Sequence, residues 1–224
     1  RSPMYHCIVL MDLLDLIQAE RPTLSLGVPT IWLSLIQLYE ASPGRWKLPE
    51  GMRSLVGGAA VPEALIRQFA KHGITIAQGW GMTETSPLAS LFYEKPELAG
   101  KLSEDEWFAR KATAGVPVPL VQLRIVGEDG AECAWNGTDV GELQVRGPYI
   151  TGSYHEVAPD PEKFTADGWL RTGDVAAVDP NGIVRIADRT KDLIKSGGEW
   201  ISSVDLENAI MAHPAVAEAA VVAV

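Results

Sequence analysis

The sequence predicts an α/β plus β fold. It should hold a helix-covered, largely parallel sheet, then a small antiparallel β-barrel-like subdomain, then the start of a small α+β section. Three observations carry this. The first third alternates strand and helix with short links, as a parallel sheet requires. The middle holds alternating strands joined by acidic and Gly turns. A dense polar stretch, Asp188 to Lys195, then precedes one more helix and one more apolar run.

The elements follow in order. Asp12 to Ala19 puts Leu13, Leu14, Leu16 and Ile17 at helical spacing. Leu24–Val28 is a short apolar strand. Pro29 and Thr30 open a helix to about Tyr39, with Ile31, Leu35 and Leu38 on one stripe and Trp32, Leu33 and Ile36 widening it. Arg53–Val56 reads as a strand and Pro62–Lys71 as a helix left through His72–Gly73. Ile74–Gln78 is the next strand. Leu120–Val126 and Val140–Arg146 alternate as strands, and Val175–Val178 and Ile183–Ala187 flank the hairpin signal Asp179-Pro180-Asn181-Gly182. Ser202–Met211 reads as a helix and Ala215–Val224 as a strand, one that needs partners beyond the last residue.

Composition excludes several classes. Of 224 residues, 46% are hydrophobic and 21% charged, which rules out a disordered chain, a collagen or a disulfide miniprotein. No apolar run reaches the ~18 residues of a membrane span. The net charge of −10 is unevenly spread. Residues 1–112 hold 11 basic and 12 acidic side chains, and residues 113–224 hold 8 and 17. With no basic stripe, nucleic acid and anionic membranes are poor partners, and the acidic half serves solubility. Cys7 and Cys133 are far apart without metal-ligand spacing, which fits a reducing, cytoplasmic compartment. Position 1 is Arg, so the expectation is a chain that does not begin at its natural start, with an upstream targeting segment left open.

Three segments carry residue types suited to chemistry. Gln78-Gly79-Trp80-Gly81-Met82-Thr83-Glu84-Thr85-Ser86-Pro87 follows a strand, where ligand loops sit in open α/β sheets. Its glycines let backbone approach a ligand, Trp80 offers a flat face, Thr83 a hydroxyl and Glu84 a hard oxygen for Mg²⁺. The same residues also suit a plain Gly turn with a surface Glu. In Asp167-Gly168-Trp169-Leu170-Arg171-Thr172-Gly173-Asp174, the last carboxylate could accept from a ribose diol, or be a solvated turn residue. The third segment, Asp188 to Ser202, holds Arg189, Lys191, Lys195, Gly197 and Gly198. It could serve a phosphate and a narrow channel, or be a charged linker.

Taken together and in order, these segments resemble the AMP-forming acyl-CoA synthetase (adenylate-forming) superfamily, closest to its bacterial medium- and long-chain fatty acyl-CoA synthetases. "GWGMTETSP" resembles the adenine motif, "DGWLRTGD" the ribose motif, and "DRTKDLIKSGGEWISSVDLEN" the hinge and following loop. "GVPTIW" and "VGGAAVP" also match. The resemblance spans nearly the whole chain. It implies a ligase that joins a fatty acid to CoA through acyl-AMP, using ATP, Mg²⁺ and CoA. It assigns residues 1–112 to part of the N-terminal adenylate-binding domain, 113–187 to its β-rich subdomain, 188–193 to the hinge and 194–224 to a C-terminal α+β domain.

The resemblance also implies residue roles. Gly58, Ala59 and Ala60 would floor the adenylate site, and Gln78, Gly79, Trp80 and Thr83 would cradle the nucleotide. Thr83, Glu84 and Lys195 would be catalytic, with Glu84 the metal ligand. Asp174 and Arg189 would contact ribose, and Lys191, Lys195 and Trp200 would close on the adenylate. Asp188 would be the hinge, Gly197 and Gly198 would leave room for pantetheine, and Val28–Trp32 would line part of the acyl tunnel. Trp80 stands where a Tyr is more usual, so the phenol hydroxyl is lost. The family's Ser/Thr/Gly-rich phosphate loop and its C-terminal adenylation Lys have no counterpart here. The expectation is therefore the middle and hinge of a ligase, inactive by itself, with a homodimer open for the complete protein. A truncated acyl-AMP-binding protein and a relative with another acceptor are the alternatives. The "IKSGGEWISSVDLEN" wording argues against the second.

Overall fold

The computed structural model describes residues 3–98, 100–158, 160–189, 194–196, 199–211, 213, 215–216 and 219–222. They fall into two compact units: Arg1–Gln78 with Gly100–Ala112, and Gly79–Ala99 with Thr113–Val224.

The first unit is three parallel strands and four helices. Helix α1 (Pro3–Glu20) leads to β1 (Leu24–Gly27), α2 (Pro29–Glu40), β2 (Arg53–Val56), α3 (Glu63–Ala70) and β3 (Thr75–Trp80). Strand β2 pairs parallel with β1 on one side and with Thr75–Gln78 of β3 on the other. This is the crossover architecture expected of strand–helix–strand alternation, since parallel neighbours need a covering helix between them. The stripe of α2 differs in detail from the expected one. Pro29, Trp32, Leu35 and Ile36 are its buried side chains, while Ile31 is exposed. Helix α3 turns Leu65, Ile66 and Phe69 inward, and the Trp32 and Phe69 rings meet edge-on at 5.6 Å. These pack with Leu14, Met52, Val56 and Ile76 into one core.

Helix α4 (Glu104–Lys111) adds to this core through Phe108. The sequence reading did not assign it. Ser103 caps it by accepting from the Glu106 N–H, while the Glu106 carboxylate accepts from the Ser103 N–H.

The second unit is antiparallel. Gly79 and Trp80, at the end of β3, pair with β4 (Ser90–Leu91), which pairs with β5 (Val116–Pro117). Strands β6 (Gln122–Val126), β7 (Gly141–Arg146), β8 (Leu170–Val178) and β9 (Val184–Arg189) form an antiparallel sheet in that order. The sheet is open, not a closed barrel, because four strands are too few to wrap a filled interior. Its inner face buries Leu123, Ile125, Leu143, Val145, Leu170, Ala176, Val178 and Val184. Strands β10 (Ile194–Ser196) and β11 (Glu199–Ile201) form a two-stranded ladder before α5 (Ser203–Met211).

One expected element is not seen among the described residues. Residues 215–216 and 219–222 carry no strand where Ala215–Val224 was expected to form one. An apolar run becomes a strand only when neighbouring backbone pairs with it. Here the Val221 N–H donates instead to the Glu207 carboxylate at 2.9 Å.

Candidate functional site

In the second unit, β3 ends at Trp80 and the chain turns through Gly81 into a 3-10 turn at Thr83–Thr85. Only glycine fits at position 81, since a Cβ there would collide with the Pro87 carbonyl. Buried Thr85 locks this loop. Its Oγ1 accepts from the Met82 N–H at 2.9 Å and reaches the carbonyls of Met82 and Pro87 at 3.0 and 2.9 Å. The loop therefore holds Thr83 outward and exposed. The Glu84 carboxylate accepts from the Tyr154 hydroxyl at 2.7 Å. That bond to Glu84 pushes the Tyr154 phenol above its ordinary value.

Asp174 owes its position to a bulge in β8. Glu142 pairs with Val175 but Gln144 with Arg171, so Thr172, Gly173 and Asp174 face a single residue of β7. Gly173 supplies the left-handed backbone, at φ +73°, that the bulge needs. The Thr172 hydroxyl donates to the Leu143 carbonyl at 2.6 Å and accepts from the Asp174 N–H at 3.1 Å, so the bulge leaves neither group unsatisfied. The Asp174 side chain is only 14% exposed. Its Oδ2 accepts from the Trp80 indole N–H at 2.8 Å, and Oδ1 lies 3.5 Å from the Arg189 guanidinium. Burial raises the Asp174 carboxyl above the usual aspartate range. The Trp80 bond and the Arg189 charge pull it down, and nearby Asp188 pushes it up.

Trp80 thus does more than offer a face. Its N–H supplies a donor where the sequence reading recorded a lost hydroxyl. Asp188, expected as the hinge, lies buried in β9. Its Oδ1 accepts from the Arg189 N–H at 2.8 Å, and its Oδ2 accepts from the Ser203 hydroxyl at 2.6 Å and the Ser203 N–H at 3.2 Å. The start of α5 is tied directly to that residue.

In the first unit, Gly58 (φ +86°), Ala59 and Ala60 form an exposed loop after β2. Gln78 is buried, and its side-chain carbonyl accepts from the Val61 N–H at 2.9 Å, so it braces that loop. Ile31 and Trp32 line a cavity of about 430 Å³ with Leu13, Leu16, Ile17 and Leu26. Its wall is apolar except for Glu20 and Ser25, and Val28, Pro29 and Thr30 are not part of it.

Not every expected residue joins these groups. Gly79 is buried in β3. Lys195 and Trp200 are backbone partners across β10 and β11. Lys191, Gly197 and Gly198 lie outside the described residues. Trp169, within the second motif, is a buried packing residue, with the guanidiniums of Arg124 and Arg146 each 4.5 Å from its ring centre. The sequence reading gave no role to Tyr154, Thr172 or Thr85, and it took Ser202 or Ser203 only as a possible cap of the helix that follows. Tyr154 had one signal, an aromatic in a loop of Gly, Ser and Thr.

A model of the AMP-binding enzyme family matches residues 6–155. The chain belongs to the AMP-binding enzyme family. It is 48% identical over 214 residues to a long-chain-fatty-acid–CoA ligase of Thermus thermophilus, covering 95% of this chain and 39% of that protein. It is 42% identical over 213 residues to a 3-methylmercaptopropionyl-CoA ligase of Ruegeria lacuscaerulensis, again 95% of this chain and 39% of that protein. Among solved structures it resembles the O-succinylbenzoate coenzyme A synthetase of Bacillus subtilis in complex with ATP and magnesium. The TM-score is 0.74 at 31% identity, over 95% of this chain and 41% of that one. The chain therefore spans about two fifths of the length of these AMP-binding relatives. Among the described residues no helix is long and apolar enough to cross a membrane.

Proposed function

We propose that the protein carrying this chain is an ATP-dependent acid–CoA ligase for medium- or long-chain fatty acids. In the first step an acid carboxylate attacks the α-phosphorus of ATP, the bond to the β-phosphate oxygen breaks, and acyl-AMP and pyrophosphate form. In the second the CoA thiol attacks the acyl carbon, loses its proton, and expels AMP.

The observation that carries this reading is the meeting of Trp80, Asp174 and Arg189. They come from three separate stretches of sequence, yet they put one mostly buried carboxylate between an indole N–H and a guanidinium. A carboxylate so held keeps lone pairs for a ribose diol, and a charged acceptor makes such bonds worth about 1.5–3 kcal/mol each. Gly79 and Thr83 border the same loop and would meet the nucleotide. Gly58, Ala59 and Ala60 would form its floor, with Gln78 holding that loop in place. Lys191, Lys195 and Trp200 would close on the adenylate, Asp188 would be the hinge, and Gly197 and Gly198 would admit pantetheine.

The residues present fit Mg²⁺. Among the described residues no three metal-binding side chains cluster, and Glu84 brings one carboxylate to the 3-10 turn. That suits a cation held by one carboxylate and by substrate phosphates, whose charge it neutralises when bound. The apolar cavity walled by Leu13, Leu16, Leu26 and Ile31 suits a hydrocarbon chain, and the fatty-acid ligase likeness supports the same class. The reading also carries a cytoplasmic enzyme that draws on free CoA, with a homodimer to be tested by light scattering.

The test is made in the complete ligase. Glu84→Gln should slow Mg·ATP-dependent pyrophosphate exchange far more than it weakens binding of preformed acyl-AMP. Equal losses would make Glu84 structural. Scanning acids from butyrate to stearate for acyl-CoA formation would fix the chain length, and no turnover with any of them would sink the fatty-acid reading.

A further inference from the structure

We propose that Tyr154 is a positioning residue for Glu84, fixing which carboxylate oxygen is presented to a cation. The inference rests on the reading of Glu84 as the cation-holding side chain.

Three contacts tie residues 149–154 to the 3-10 turn. The Ser86 hydroxyl donates to the Tyr149 carbonyl at 2.9 Å. The Thr151 N–H donates to the Glu84 carbonyl at 2.8 Å. The Tyr154 hydroxyl donates to Glu84 Oε1 at 2.7 Å. Backbone and side chain of Glu84 are thus held by the same short segment. The Tyr154 ring stands edge-on to Phe164 at 5.7 Å, and Phe164 packs against the core of the second unit. The hydroxyl is therefore placed by the core although the ring edge reaches solvent.

The chemistry of the donor matters. A free glutamate samples many rotamers, and ordering it costs entropy that cation binding would otherwise supply. A phenol hydroxyl engages one oxygen and leaves the carboxylate's charge intact. A lysine in its place would compete with the cation. Among the described residues Oε2 accepts no hydrogen bond, so it is the oxygen left for a ligand. Partners that orient a metal-binding side chain in this way commonly contribute about 10–100-fold to metal affinity.

The experiment is Tyr154→Phe in the complete ligase, with Mn²⁺ as the spectroscopic probe. Titrated in the presence of ATP and followed by electron paramagnetic resonance, Mn²⁺ should bind about 10-fold more weakly. The Mg²⁺ concentration for half-maximal pyrophosphate exchange should rise in parallel, while preformed acyl-AMP binds as before. Unchanged or tighter Mn²⁺ binding overturns the proposal. Phe164→Leu, which keeps the hydroxyl but loosens the ring, must weaken Mn²⁺ in the same direction. Glu84→Gln is run alongside. If it weakens Mn²⁺ and Tyr154→Phe does not, only this inference fails. If neither does, the reading of Glu84 fails with it.

Discussion

Asp174, proposed above to meet a ribose, also bears on folding stability. Its carboxyl is raised by burial, so at pH values just above the ordinary aspartate range the folded state keeps a proton that the unfolded state has released. Stability must then fall as pH rises through that window and level off above the raised value. Asp174→Asn removes the ionisation, so the variant's melting temperature relative to the parent should climb through the window and then plateau. A constant difference from acid to neutral pH would show that burial does not act on this group. The residue was legible in the sequence as part of Thr172-Gly173-Asp174, but its neighbours were not. Trp80 lies 94 positions away and reaches it only because the end of β3 comes near a bulge in β8. No period or spacing encodes that. Gln78 has a second contact that no spacing signals: its side-chain carbonyl accepts from the Val61 backbone.

At the scale of an element, the loop after β3 depends on one missing methyl group. Gly81→Ala would drive a Cβ into the Pro87 carbonyl and to 2.8 Å from the Thr85 hydroxyl. The cost should be about 1–3 kcal/mol, read from urea denaturation, because backbone has to give way. A wild-type midpoint would mean that the loop is loose. The strands with strong patterns were read well: β2 matches its expected span, Arg53–Val56, residue for residue. Helix α4 was missed because Trp107 and Phe108 are nearly its only large apolar side chains and are adjacent, so no helical period appears. Its one sequence signal was the Ser103-x-x-Glu106 cap. Strands β4 and β5 are two residues each, too short to show any alternation. The strand expected over Ala215–Val224 is not seen among its described residues, for the opposite reason. Its apolar pattern was present, but pairing is a property of two segments and no sequence window contains the partner.

For the whole molecule, the order of three motifs carried the family, since composition and charge alone fit countless soluble proteins. What those signals could not convey is how the outer strand of the first unit behaves. Among the described residues β1 pairs with β2 alone, and Leu24 and Leu26 are 55% and 71% exposed on it. An apolar strand with a free edge is a template for another chain. Refolding of these 224 residues should therefore be a contest between a step that is first order in protein and one that is second order. Recovery of native protein after dilution from denaturant should drop as the concentration is raised. Leu26→Lys should flatten that dependence by putting charge on the edge, with little change in the yield at the lowest concentration. Equal concentration dependence for parent and variant would show that β1 does not nucleate the loss. The strand that opens the parallel sheet would then set a practical ceiling on how concentrated a solution of this chain can be while still folding.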